Sequence, residues 1–357
     1  MKPGNKKNRI IILCDIIKDP ERKSVSKILK ELLKLLLIHR EFPGHYFSDF
    51  LFKNYASGVE NYLPSKRAAR IVPRLNDPGL KEVLDNKLYF SLFYSKFNIE
   101  LPRVLMFNHG NQFYQGSELI VITCPDSFLT VIKKLFEENL VLSSLFIKKI
   151  YSSSSGAGIY RIRKQDTTNN IESVIEIYNE IIKSEYLIQE GVIQHPDLNK
   201  LNPASVNTVR IDTLLDREGN INVLSAYLRL SLREHYVDNI GSGGCMVGIN
   251  TGSGTLKKYA YPDFKVYGPE TYTCHPVTGV PFEGFKLPYF DDVKSLVVRA
   301  ASLMPGLRII GWDVAFSENG PIIIEGNSDY GIRGNDFLYG GYLSHPLFKK
   351  VLREINS

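Results

Sequence analysis

Cysteine is scarce and scattered: Cys14, Cys124, Cys245 and Cys274 lie far apart and form no Cys-x-x-Cys pair. Neither a zinc site nor a disulfide framework is signalled, and a reducing cytoplasm fits such usage best. Long apolar runs are missing too. Nothing reaches the roughly 18 to 20 apolar residues that span a bilayer, and the stretch Arg9 to Asp15 is too short for a signal-peptide core. The chain is expected to be soluble, or at most to rest on a membrane surface. No Gly-x-x-x-x-Gly-Lys-Ser/Thr phosphate loop occurs, there are no repeats, and the only low-complexity tract is Ser152 to Ser155. Nor does one sign of charge dominate, with 44 lysines and arginines against 38 acids. Such a balance suits anionic small substrates as readily as nucleic acid.

What is present is enough for real cores. With 357 residues, 43% of them hydrophobic, disorder is excluded and two or three lobes are expected. Residues 24 to 39 carry Ile28, Leu29, Leu32, Leu35 and Leu36 at helical spacing, with Lys27, Lys30 and Lys34 on the other side. A helix packed on its own domain is favoured over one lying on a membrane, because cationic amphipathic patterns are common on ordinary helices. A second helix is expected from an Asp77-Pro78 start to about Phe97. From about residue 103 strands alternate with helices: Leu119 to Thr123, a helix opened by Asp126, a strand Leu145 to Ile150, and a helix Ile171 to Lys183. After Glu190 come long alternating strands, hairpin turns and glycine-rich loops. The expected divisions are a region 1–102, a small lobe 103–190 and a large lobe 191–357.

The chemistry concentrates in Gly311 to Asn327. A hairpin turning at Glu318-Asn319-Gly320 sets Asp313 opposite Glu325, with Asn327 on the same face. Trp312, Val314, Phe316, Ile322 and Ile324 then line the other face as core. Hard oxygen donors of this kind suit Mg²⁺, and both carboxylates are expected to point into solvent while the aromatics carry the packing. The alternative is a surface hairpin with solvated acids, which the independent register of the apolar residues disfavours. A second hairpin, 206–215 with 221–230, sets Arg210 opposite Tyr227 and Thr208 opposite Arg229. Both arginines then share one face, fitted to clamp phosphate or carboxylate oxygens or to pair with Asp212. A third element, Leu145 to Gly158, is a strand with Lys148 and Lys149 running into a small-residue loop. Backbone amides there can approach phosphate oxygens, though a surface hairpin would look the same.

In this order the segments Asp85-Asn-Lys87, Phe146-Ile-Lys148, Ile188-Gln-Glu190, Ser205 to Arg210, Val237-Asp-Asn239, His275 to Gly279, Gly311-Trp-Asp313 and Glu325-Gly-Asn327 resemble the ATP-grasp superfamily. The closest likeness is to its sugar-transfer-associated branch, over roughly residues 75 to 345. The resemblance implies an α+β, ATP-grasp fold of two α/β lobes gripping ATP, preceded by a smaller N-terminal helical region. It implies that Lys87 and Lys148 contact the α- and β-phosphates, and that Gln189, Glu190 and the backbone through Val192 form the adenine hinge. By the same resemblance Asp313, Glu325 and Asn327 hold Mg²⁺, Arg210 and Arg229 face the transferred phosphate, and Asn239 lies near the acceptor. Two departures are Lys149, where proline is common, and a flap 152–158 poor in glycine and without lysine. His195 and His275 receive no catalytic role.

The implied reaction joins a small-molecule carboxylate to an amine through an acyl phosphate, with a sugar acid and an amino acid as the substrates the branch suggests and no nucleic acid partner. A carboxylate attacking a phosphate sets anion against anion, so cations must neutralise the developing charge. A kinase acting on a hydroxyl and a binding module without chemistry are the alternatives.

Overall fold

The computed structural model describes residues 7–151, 158–232 and 243–355. The chain forms two units: one of Met1–Lys81, Gln194–Pro321 and Asn327–Ser357, the other of Glu82–Ile193 with Ile322–Gly326. Near the start, Asn8 and Ser24 act as N-caps, their side chains accepting the Ile10 and Lys27 amides, and launch helices α1 (Arg9–Lys18) and α2 (Val25–His39). On α2 only Ile28 and Leu35 are buried, against Tyr46, Phe50 and Phe52; Leu29 and Leu36, expected inward, are exposed. The surplus of leucines gives this helix two apolar stripes, and one core can cover only one. None of the described helices is long and apolar enough to cross a membrane.

The single helix expected over Asp77 to Phe97 is broken into Lys81–Asp85 and Lys87–Ser95. Asn86 causes the break. Its extended backbone bridges to Tyr151, while its side chain accepts the amides of Leu88 and Tyr89 at 3.0 Å and so restarts the helix.

In the second unit the strands β1 (Val104–His109), β2 (Gln112–Gln115), β3 (Glu118–Val121), β4 (Ser144–Lys149), β5 (Ile159–Arg163) and β6 (Glu185–Glu190) form an antiparallel sheet in the order β3-β2-β1-β6-β4-β5. The helices Pro125–Glu138 and Ile171–Ile181 share one core with it. Phe128, Ile132, Leu135, Val174, Tyr178 and Ile181 meet Leu145, Ile147, Ile162 and Ile188. Strand alternation therefore turns Leu145 and Ile147 to the helices and Phe146 and Lys148 to the opposite face.

A second sheet is made of β7 (Thr208–Leu215), β8 (Ile221–Ser231), β9 (Gly244–Asn250), β10 (Thr255–Pro262), β11 (Ile309–Ser317) and β12 (Gly320–Asn327), ordered β10-β9-β8-β7-β11-β12. The helix Phe290–Ser302 packs on β7, β8 and β11 with Phe290, Val293, Leu296 and Val297 buried. The alternating set Val209, Ile211, Ala226, Leu228, Trp312, Val314 and Phe316 is fully buried. Trp312 also satisfies its indole N–H on Thr213 Oγ1 at 2.9 Å. On β12 the fully buried residue is Ile323 rather than the expected Ile322 and Ile324. The outer edge of this strand is occupied, the Ile323 amide donating to the Glu100 carbonyl at 2.8 Å, and that covers the Ile323 side.

His45 is buried beneath Arg333 and His39, and neither ring nitrogen has a hydrogen-bond partner among the described residues. Burial, then the Arg333 guanidinium and the neighbouring His39, lower its pKa from 6.5 to about 4. The folded protein holds this ring neutral while the unfolded chain protonates it, so its contribution to stability is lost as pH falls from 6.5 towards 4. Thermal melts across that window should show a falling midpoint, and in a His45→Phe variant the fall should be shallower.

Candidate functional site

Three strands build the central cluster. Arg210 of β7 stands opposite Tyr227 of β8 on one side and opposite Asp313 of β11 on the other, and Thr208 stands opposite Arg229. The turn spans Asp216 to Asn220, and a bulge after Asp212 shifts the register between the turn and the arginines, where the expected pairing holds. Residues opposite one another share a face, so Arg210, Arg229 and Asp313 converge. Arg210 grips Asp313 with two bonds, Nε to Oδ1 and Nη2 to Oδ2 at 3.0 Å. Arg229 Nη2 lies 2.8 Å from Asp313 Oδ2, and its Nε and Nη2 also donate to Thr208 Oγ1 at 3.1 and 2.9 Å.

The Asp313 carboxylate is 1% exposed and the two arginine side chains 11 and 12%, which corrects the expectation of a solvated carboxylate. Two guanidinium groups thus converge on one carboxylate in a shielded site.

Asp212 shares the face but is not the partner of Arg210. It accepts from Tyr330 Oη at 2.8 Å, Tyr342 Oη at 2.6 Å, the Ser225 amide at 2.9 Å and Asn335 Nδ2 at 3.1 Å. Burial pushes its carboxyl pKa up, and the hydrogen bonds from Tyr342, Tyr330 and the Ser225 amide and hydroxyl oppose the rise. Gly311 makes this arrangement possible: a Cβ there would stand 2.6 Å from the Tyr330 ring. The ring instead lies on the bare backbone, its centroid 6.0 Å from Arg210 Cζ. Asn327 donates to the Gly311 carbonyl at 3.3 Å. Glu325 falls in Ile322–Gly326, which belongs with the second unit.

In that second unit Lys148 lies opposite Leu187 and Ile159, and Phe146 opposite Gln189 and Arg161. Lys148, Gln189 and Arg161 therefore share the face away from the helices, while Lys149 shares the side of Leu145 and Ile147. The Lys87 amide donates to the Ile150 carbonyl at 3.0 Å, tying Lys87 to the end of β4 that carries Lys148. Gln189 is buried, its amide 3.5 Å from Ser91 Oγ and 3.4 Å from the Pro102 carbonyl, long for hydrogen bonds. The Glu190 carboxylate accepts the Arg103 amide at 3.0 Å. The amides of Glu190 and Gly191 are spent on the Arg103 and Ser144 carbonyls, whereas the Val192 N–H makes no hydrogen bond among the described residues.

Asn239 and most of the flap 152–158 lie outside the described residues. His275 is a turn-former: one ring nitrogen bonds the Ser231 carbonyl at 2.9 Å, the other faces the Val277 and Thr278 amides, and burial lowers its pKa. His195 caps the helix Pro196–Leu201. Among the described residues no three His, Cys, Asp or Glu side chains form a metal cage. Sequence reasoning had overlooked Thr208, Tyr330, Arg103 and Arg161. Thr208 and Arg161 were within reach through strand alternation; Tyr330 gives no signal until helix Ile332–Tyr339 folds over β8.

A model of the family described as sugar-transfer associated ATP-grasp matches residues 66–351. No curated protein matches the chain significantly. Among solved structures, D-alanyl-alanine synthetase A from Vibrio cholerae is 14% identical with a TM-score of 0.42, over 77% of this chain and 65% of its own. A D-cycloserine synthetase is 9% identical at 0.43, over 78 and 73%. A biotin carboxylase from Campylobacter jejuni is 9% identical at 0.43, over 77 and 46%. The chain thus spans less than two thirds of the length of the first and third of these.

Removing the charge of Asp313 should expose how much the cluster depends on it. Asp313→Asn removes the carboxylate charge on which two shielded guanidinium groups converge and is expected to cost about 3 to 5 kcal/mol of stability. Urea unfolding would read this directly; a change under about 0.5 kcal/mol, usual for a surface residue, would mean that the carboxylate is solvated after all.

Proposed function

The chain belongs to the sugar-transfer associated ATP-grasp family, and from that premise we propose that it is an ATP-dependent carboxylate–amine ligase working through an acyl phosphate. The observation that carries this is the convergence of Arg210 and Arg229 on Asp313 in a shielded site. Guanidinium forks fixed before the substrates arrive can stabilise charge that develops on a transferred phosphoryl group without reorganising. Lys148, on the open face of β4 with Lys87 tied to its end, suits the phosphates of ATP, the phosphoryl-donor substrate. Val192, whose N–H makes no hydrogen bond among the described residues, offers a donor for the adenine edge.

Asp313, Glu325 and Asn327 are the residues that would hold Mg²⁺. Their side chains offer hard oxygen donors, the kind that Mg²⁺ takes, its shell completed by phosphate oxygens and water. Bound there, Mg²⁺ would neutralise phosphate charge.

In the first step an oxygen of the acid substrate attacks the γ-phosphorus, the bond to the β-phosphate oxygen breaks and ADP leaves. Arg210 and Arg229 stabilise the equatorial charge and then the acyl phosphate. An amine nitrogen next attacks the acyl carbon, phosphate departs and the amide nitrogen loses a proton. The flap 152–158 is assigned the task of keeping water out, and Asn239 that of meeting the acceptor. The family's description names an association with sugar transfer, and the substrates proposed are a sugar acid and an amino acid or similar amine, in surface-polysaccharide synthesis. Four free thiols and a need for ATP favour the cytoplasm.

Lys148→Ala should weaken ATP binding by about 1 to 3 kcal/mol, the range for losing a charged hydrogen-bond partner. Lys149→Ala should leave it unchanged; isothermal titration of both variants checks the strand's facing, and the reverse result would refute it. The intermediate is tested with hydroxylamine in place of the amine. ADP should form only when the acid is present, and a hydroxamate should appear in equal amount. A stable phosphorylated product without hydroxamate would make the protein a kinase, and AMP with pyrophosphate would overturn the mechanism.

A further inference from the structure

Helix α2 presents Val25, Leu29, Leu33, Leu36 and Leu37 on the stripe opposite Ile28 and Leu35, and these side chains are 45 to 70% exposed. Helix α1 adds Ile10, Ile11, Leu13 and Ile17, 51 to 68% exposed, opposite the buried Ile16. Single exposed leucines are ordinary; nine large aliphatic side chains on two consecutive helices that share one underlying core are not.

Charge identifies what covers them. Lys30, Lys34 and Lys27 run along one margin of the α2 stripe at successive helical turns. Residues 7–40 contain four acids, and all face lysines: Asp15 pairs with Lys7, Glu31 with Lys23, and Asp19 and Glu21 with Lys53. Lys27 and Lys30 have no ion-pair partner among the described residues, and the Lys34–Glu60 pair is half exposed and weak. A second copy seated on this stripe would bring two lysine rows to one seam with no acid left to answer them. An anionic lipid surface answers both features, its acyl region taking the leucines and its headgroup phosphates the lysines.

We propose that α1 and α2 form a docking face that lies in the plane of an anionic phospholipid surface, with the aliphatic stripe inserted and the lysine row at headgroup level. This stands independently of the reaction the protein catalyses.

Co-sedimentation of the full chain with phosphatidylcholine vesicles, with and without phosphatidylglycerol, tests it. The protein should pellet with the anionic vesicles and not with neutral ones, and added salt should release it. A Leu29→Gln, Leu33→Gln, Leu37→Gln variant should lose at least about tenfold in partitioning with its melting temperature little changed, since these side chains are more than half exposed. Lys27→Gln and Lys30→Gln should each lower partitioning roughly fivefold. Three results would overturn the proposal: no pelleting above the vesicle-free control, binding that the leucine variant retains, or a dimer in sedimentation velocity that the leucine variant abolishes while vesicles bind nothing.

Discussion

The double grip of Arg210 and Arg229 on Asp313 is the constraint around which the larger sheet is arranged. A carboxylate 1% exposed cannot stay ionised without close cations. Three strands must therefore hold one register, because a slip of one residue in β7, β8 or β11 would send a charged side chain into the core that holds Trp312. Beneath the pair, Asp212 with its four donors pins Tyr330 and Tyr342, and Tyr330 in turn can approach only because Gly311 has no side chain. Positioning thus runs from a missing Cβ to a tyrosine, to the setting of Arg210.

The smaller sheet solves a different problem with the same rule of alternation. Its helices cover one face with an apolar core, which frees the other for Lys148, Gln189 and Arg161. The amides of Glu190 and Gly191 at the end of β6 are then spent on backbone carbonyls, and that of Val192 makes no hydrogen bond among the described residues. Rigid donors and point charges set on a packed sheet are what recognition of a polyanionic nucleotide asks of a protein.

The N-terminal helices show the limit of one core. Leu35 and Ile28 reach Tyr46, Phe50 and Phe52, and nothing remains on that side to receive the second stripe. Every acid in the segment is drawn into an ion pair, so the lysines beside the stripe keep their charge for something outside the chain.

Pattern alone determined the family, the α+β class, and the register that pairs Thr208 with Arg229 and Arg210 with Tyr227. Period-two alternation is a local property, and a register error would have been visible as polar residues in the core. It also singled out Asp313 and Lys148. What it could not supply were the partners. That Arg210 answers Asp313 rather than Asp212 depends on β11 lying beside β7, a contact between residues 103 positions apart. That the helix after Asp77 breaks at Asn86 depends on Tyr151, and that Ile323 rather than its neighbours is buried depends on Glu100. In α2 both stripes read alike in sequence, for burial is decided by which of them meets Tyr46 and Phe50, and only the folded chain brings those rings to one side.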